Sequence, residues 1–182
     1  MRWFWIDRFV EFVRGKRAVT YKNVTLAEPA LDGYYPIYAH YPHALIVEGM
    51  AQTGGLLVSE MSGFTKRVVL AKVGKATFHR FVEAGDQLRL EVDLQDVQGS
   101  GAVAHGKSYV GDELQGEIEL WFAFLDSRFG DKPHFPPEYL LRWLRSMKLY
   151  DVAVDENGVR LQPPQHLLDA EAFVAQQCEK KE

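Results

Sequence analysis

One segment of the sequence, if helical, has apolar side chains on nearly all sides. This segment limits what the chain can fold into. Residues 43–61 carry Leu, Ile, Val, Met or Ala at most positions, with Glu48 and Gln52 among the few polar ones. A helix that is apolar on nearly all sides is a buried one. Gly54 and Gly55 at its centre should each cost about 1 kcal/mol relative to alanine, which predicts a close approach to a neighbouring element. The remaining chain must therefore surround this helix.

The flanking segments follow patterns that are typical of β-strands. Residues 18–25 are rich in β-branched and aromatic side chains, and residues 87–94 alternate Leu or Val with charged residues. Aromatic spacing in residues 3–13 predicts a short amphipathic helix or turn, and residues 28–42 are predicted to be a loop. Further strands are predicted at 68–70, 76–82, 102–110 and 116–125. This order predicts an α+β fold in which an antiparallel sheet wraps around one long buried helix.

The last third of the chain differs from the rest. Prolines at 133, 136 and 137 interrupt it, residues 137–147 have the pattern of an amphipathic helix, and the remainder is polar. We therefore predict one domain at residues 1–126 and a helical, polar appendage at residues 127–182.

Composition excludes several classes of function. A net charge of −4 without a long basic block argues against nucleic acid as a partner. Charged residues interrupt every apolar run before about 18 residues, so no membrane span is expected. The single cysteine, Cys178, cannot form a disulfide within one chain, which favours the cytoplasm. Scattered histidines and the lack of a glycine-rich phosphate loop predict neither a metal site nor a cofactor.

Three groups of motifs occur in a consistent order between residues 4 and 125 and carry a resemblance to a known family. The central group is Gly33-Tyr34-Tyr35-Pro36, then Pro42, then a helix with the pattern Glu48-x-x-x-Gln52. The flanking groups are Ile6-Asp7-Arg8, Gly15-Lys16-Arg17 and Lys22-Asn23-Val24-Thr25 before it, and Lys75-Ala76-Thr77-Phe78, Ala84-Gly85-Asp86-Gln87-Leu88 and Glu119-Leu120-Trp121-Phe122-Ala123 after it. Together they resemble the β-hydroxyacyl-acyl-carrier-protein dehydratases of fatty acid synthesis.

The resemblance implies a hot-dog fold and a site that is shared between two subunits. In that family the sheets of two subunits join, and the acyl chain occupies a tunnel at the dimer interface. One subunit supplies a histidine and the other supplies an acid on the buried helix. The acid corresponds to Glu48, whereas the histidine position, fourteen residues earlier, is occupied by Tyr34.

Dehydration of a 3-hydroxyacyl thioester needs a base for the C2 proton, an acid for the C3 hydroxyl and donors for the thioester oxygen. Tyrosine, with a reference pKa of about 10, is a poorer base than histidine at about 6.5. Glu48 could supply the acid, oriented by Gln52 four residues later. A displaced imidazole could come from His43 or His40, and backbone N–H groups at the helix start could act as donors.

Structural roles for these residues stay open beside the catalytic ones. Glu48 could be a hydrogen-bonded buried acid, and Tyr34 could pack at an interface. From the resemblance, Pro42, Ala44 and Phe78 are expected to contact the substrate.

Three functions remain open. The first is a dehydratase acting on 3-hydroxyacyl thioesters of acyl carrier protein or coenzyme A. The second is a non-catalytic subunit or acyl-carrier-binding protein, and the third is an acyl thioesterase in which Glu48 activates water. A homodimer or higher oligomer is expected, or a heterodimer with a histidine-bearing paralogue.

Overall fold

A computed structural model describes residues 4–32, 39–130, 132 and 135–179. Within these residues seven strands form one sheet in the order β3-β6-β5-β4-β2-β1-β7. The strands are β1 (Arg8–Val13), β2 (Arg17–Asn23), β3 (Arg67–Phe78), β4 (Gln87–Gln98), β5 (Gly101–Val110), β6 (Glu113–Leu125) and β7 (Ala153–Val154). The helices are α1 (Pro29–Asp32), α2 (His43–Glu60), α3 (Pro137–Ser146), α4 (Leu149–Val152) and α5 (Gln165–Glu179). All strand pairs are antiparallel except the pair of β1 with β7.

Helix α2 lies in the curve of the sheet and packs against strands β2 to β6, as its apolar sequence predicts. Ile46, Met50 and Leu57 are almost completely buried and belong to one hydrophobic core with residues of the sheet. The buried hydroxyl of Thr53 lies 2.8 Å from that of Thr20 on β2, so the polar group that α2 turns toward the sheet is hydrogen-bonded. The predicted α+β fold with one long buried helix is confirmed.

The two central glycines of α2 have different surroundings. A Cβ atom added to Gly54 would lie 2.9 Å from Cζ of Phe122 and 3.1 Å from Cγ1 of Val92. A Cβ atom added to Gly55 would lie 3.6 Å from Cε1 of Phe122, an ordinary van der Waals contact. The close approach predicted from the glycine pair therefore holds for Gly54, while Gly55 has room for a side chain.

The predicted helix at residues 3–13 is wrong, because residues 8–13 form strand β1. The register of β1 against β2 shifts between Phe9 and Glu11, and this irregularity interrupts the alternation of a regular strand. Phe9 and Phe12, three residues apart, consequently both point into the core. That spacing is also the spacing of a helix face, which explains why the pattern was misleading.

The strands predicted at 68–70 and 76–82 are joined in one continuous strand, β3, which ends at Phe78, so that residues 79–82 lie outside it. Its register against β6 shifts between Leu70 and Lys72 and again between Val73 and Ala76, so the alternation of side chains is interrupted twice. Strand β3 forms one edge of the sheet, and most of its central residues are exposed. Exposure removes the apolar signal from the middle of the strand, which is why the sequence divides it.

The C-terminal region packs on the same core as the rest of the chain. Leu141, Leu144 and Leu149 are completely buried members of the main hydrophobic cluster. Strand β7 extends the sheet beside β1, and the N–H of Phe9 donates to the carbonyl of Met147. Helix α3 confirms the predicted amphipathic helix, while the division of the chain at residue 126 stays a prediction.

Among the described residues, no helix combines the length and the apolar character that a membrane-spanning segment needs.

We expect the two glycines of α2 to respond in opposite ways to alanine. Gly54→Ala should lower the free energy of unfolding by about 1–2 kcal/mol, because overpacking against Phe122 and Val92 exceeds the gain in helix propensity. Gly55→Ala should leave it unchanged or raise it by up to about 1 kcal/mol. Urea denaturation of both variants measures the difference, and equal effects would contradict this account of the helix–sheet contact.

Candidate active site

Glu48 is held in place by a hydrogen-bonded amide one turn further along α2. The Gln52 Nε2 atom donates to Glu48 Oε1 at 2.9 Å, as the spacing of four residues predicts. The Gln52 Oε1 atom in turn accepts from the backbone N–H of Trp5, also at 2.9 Å. Because both ends of the amide are engaged, the Gln52 side chain is fixed and presents a donor to the carboxylate. The N-terminal segment before β1 therefore contributes to the orientation of Glu48.

An apolar pocket of about 570 Å³ begins at this carboxylate and runs along α2. Three walls enclose it, formed by one face of α2, the start of β3 with Phe122 of β6, and one face of α3. Its lining residues are Phe4, Glu48, Ala51, Gln52, Gly55, Leu56, Ser59, Val68, Val69, Leu70, Phe122, Phe135, Leu140, Trp143 and Met147. From Glu48 to Ser59 the helix rises about 16 Å, so the pocket is an elongated groove with its acidic group at one end.

The His43 ring lies in an aromatic stack at the start of α2. It is parallel to the ring of Phe78 at 4.1 Å between centroids and to that of Phe81 at 5.6 Å. Its Nε2 atom is buried and has no hydrogen-bond partner among the described residues. Burial lowers the pKa of His43 below 6.5; a hydrogen bond to the backbone of Arg80 opposes this shift, and the nearby His40 adds to it. The imidazole is therefore held in its neutral form.

His40 continues the same stack on its outer side. Its ring is parallel to that of Phe81 at 4.2 Å, and its Nδ1 atom lies 3.9 Å from Glu83 Oε1. Neither His40 nor His43 lines the pocket beside Glu48. Five residues separate His43 from Glu48 along α2, which turns their side chains about 140° apart. Within one chain, the structure does not bring either histidine to the carboxylate.

The residues expected to contact substrate lie at the start of α2 rather than in the pocket. Pro42 precedes the first turn, Ala44 is exposed, and Phe78 supports the His43 ring. Among the described residues no side chain caps this helix end, and the first backbone bond runs from Leu45 N–H to Pro42. The preceding N–H groups keep the orientation that the proposed donor role requires. Tyr34 lies outside the described residues.

Several residues at the pocket were not identified from the sequence. Trp5 acts through its backbone N–H, which no side-chain pattern can reveal. Leu140 and Trp143 lie on the apolar face of α3, and Met147 follows directly after the helix; the helical pattern identifies that face without indicating what it covers. The missing information is that segments far apart in the chain, such as those of Glu48 and Trp143, line one pocket.

An antiparallel sheet wrapped around one long helix defines the hot-dog class of folds. Solved structures agree. A Streptococcus mutans protein, smu.793, bound to acetyl CoA, superposes with a TM-score of 0.55 at 17% identity, covering 69% of this chain and 93% of that one. A hypothetical thioesterase with coenzyme A from Streptococcus pneumoniae gives 0.54 at 11% identity, covering 65% and 84%. At such low identity these likenesses show the fold alone.

Comparison of the sequence with known families identifies the family of this chain within the hot-dog class. A family model described as the FabA-like domain matches residues 3–118, and the chain belongs to that family. The 3-hydroxyacyl-[acyl-carrier-protein] dehydratase FabZ of Pelotomaculum thermopropionicum is 43% identical over 119 residues, which are 65% of this chain and 85% of the relative. The FabZ of Symbiobacterium thermophilum is 43% identical over 123 residues, or 67% and 87%. The family match ends within β6, before α3 begins.

The lowered pKa of His43 predicts a specific dependence of stability on pH. The unfolded chain binds more protons than the native one as pH falls through 6.5, so the free energy of unfolding should decrease there. His43→Phe keeps a stacking ring and removes the titrating group, so it should flatten the decrease. Thermal denaturation across this pH range measures the effect. The matched control is His166→Gln on the exposed face of α5, and identical profiles for wild type and His43→Phe would refute the assignment.

Proposed function

We propose that this protein acts on 3-hydroxyacyl thioesters in lipid biosynthesis, with Glu48 as the acid of a dehydratase-type site. The observation that carries this proposal is the Glu48–Gln52 pair at one end of an elongated apolar pocket. Membership of the FabA-like family supports it, as do relatives named as 3-hydroxyacyl-[acyl-carrier-protein] dehydratases.

The chemistry requires one proton to be removed and another to be delivered. A base takes a proton from C2, a C2–C3 double bond forms, and the C3–O bond breaks. The protonated Glu48 carboxyl gives its proton to the leaving hydroxyl, so water departs and the carboxylate remains. The proton taken by the base then returns to Glu48, which completes the cycle.

The pocket suits the aliphatic end of such a substrate, and the start of α2 suits its thioester end. The aliphatic chain would lie among Leu56, Val68 and Phe122, where its transfer from water stabilises the complex. The thioester oxygen, which becomes negative when C2 loses its proton, would be stabilised by N–H groups at the positive end of the α2 dipole. The acyl carrier would then remain outside the pocket.

The sequence does not supply the family's usual base. By resemblance, its position is that of Tyr34, whose phenol has a reference pKa of about 10. His43 is held neutral, which suits a base, but within one chain it lies outside the Glu48 pocket. We therefore propose that the homodimer is a slow dehydratase.

A site shared between subunits is compatible with this fold. Strand β3 presents twelve residues at the edge of the sheet, most of them exposed, and an unpaired strand edge is a surface for pairing with a second chain. The dimer, its acyl carrier protein or coenzyme A thioester and its location in the cytoplasm all belong to the proposal.

A second candidate function follows from the combination of an intact Glu48–Gln52 pair with Tyr34. A chain that has the acid but lacks the family's histidine can serve as a subunit that lends Glu48 to a histidine-bearing partner. In that case the isolated protein binds acyl thioesters, and activity appears only when a histidine-bearing paralogue is added.

Removing the carboxyl tests the site. Glu48→Gln should reduce hydration of crotonyl thioester by about 10²–10⁴-fold while leaving the thermal transition near that of wild type, because an amide fills the same space but cannot deliver a proton. Loss of the enoyl thioester absorbance measures the reaction. Glu83→Gln, which changes an exposed acid, is the matched control. Full activity in Glu48→Gln would show that the site is assigned wrongly.

Restoring the imidazole tests the proposed base. Tyr34→His should raise the rate of the same reaction by about 10²-fold or more, because histidine titrates about 3 units closer to neutral pH than tyrosine. Tyr35→His, one residue along, is the control and should give no increase. Adding Glu48→Gln to Tyr34→His should abolish the gain. If Tyr34→His has no effect, the partner-dependent function is favoured instead.

A further inference from the structure

The far wall of the acyl pocket comes from a part of the chain that the family match does not include. Residues 3–118 match the FabA-like domain, whereas α3 begins at Pro137. Leu140 and Trp143 of α3, together with Met147 directly after it, nevertheless line the same pocket as Glu48. They lie at intervals of three and four residues and therefore form a single helix face. The C-terminal region thus contributes a surface to the site itself.

This wall is rigidly supported. Leu141 and Leu144, on the inner side of α3, are completely buried in the main core. On its outer side, the guanidinium of Arg145 lies 2.6 Å from the carboxylate of Glu171 on α5. A helix anchored on two sides cannot move aside to admit a longer ligand without breaking these contacts.

Trp143 is the largest residue of the wall and is fixed by other aromatic rings. Its ring meets that of Phe4 edge-to-face at 5.3 Å and that of Phe135 at 5.4 Å. Tyr139 stacks on it at 6.2 Å from the solvent side. Such contacts hold a ring in one orientation beyond what burial alone achieves. Gly55 lines the same pocket on the α2 side, where the helix contributes no side chain.

We propose that α3 is a specificity element, in which Trp143 limits the length of acyl chain that the pocket accepts. The absence of a side chain at Gly55 and the aromatic ring of Trp143 together set the width of the groove beyond Glu48. This inference rests on the proposed function for its ligand, an acyl thioester. It assigns to the C-terminal region a role in selecting that ligand.

The test changes the pocket from both sides. Trp143→Ala enlarges it at α3, and Trp143→Leu does so less severely in case the alanine variant is unstable. Gly55→Leu fills it at α2, where an added Cβ makes only an ordinary contact. Phe173→Ala removes an exposed aromatic residue of α5 that is absent from the pocket lining and serves as the control. Calorimetric titration with butyryl-, octanoyl-, dodecanoyl- and hexadecanoyl-CoA gives affinities that do not depend on catalysis.

Enlarging the pocket should shift the preference toward longer chains, by about fourfold in affinity for each additional methylene that becomes buried. Gly55→Leu should shift it toward shorter chains, and Phe173→Ala should match wild type. Unchanged preference in both Trp143 variants would overturn the inference, as would failure of every acyl-CoA to bind. Turnover of the matching 3-hydroxyacyl thioesters is measured in parallel. Shifted binding without any turnover would retain the specificity role while refuting the dehydratase function.

Discussion

The contact between α2 and the sheet is the constraint on which the rest of the structure depends. Gly54 brings the helix so close to Phe122 and Val92 that a single methyl group would not fit. The same approach places Met50 over Gly106 of β5. Because the helix cannot rotate about its axis without losing this fit, the face that carries Glu48, Gln52 and Gly55 is fixed toward the pocket. The packing of the core therefore also determines the geometry of the site.

The orientation of Glu48 shows how a site can depend on segments far apart in sequence. Gln52 connects the carboxylate to the backbone of Trp5, and the neighbouring Phe4 rests against Trp143 of α3. The N-terminal segment, the central helix and the C-terminal helix therefore meet around one carboxyl group. Direct contacts connect each of the three segments to this group.

The sequence was sufficient to predict the elements whose side chains follow a regular period. Helix α2, strands β4 to β6 and the Glu48–Gln52 contact depend on such periods and were found. Strand β1 was misread because a register shift places Phe9 and Phe12 on one side, and β3 was divided because its exposed middle carries no apolar signal. The pocket wall at Trp143 was missed because a period shows which face of a helix is apolar but not what that face will cover.

The position of β7 has a consequence for assembly. By pairing with the end of β1, and through the bond from Arg14 N–H to Val154, the C-terminal region occupies the sheet margin opposite β3. If the proposed dimer forms by strand addition, the margin left for it is that of β3. A surface that can pair only with its own copy gives a closed twofold arrangement, whereas two free margins would permit open-ended polymers. In such a dimer, the two residues of β7 would leave one sheet margin for pairing with a second copy instead of two.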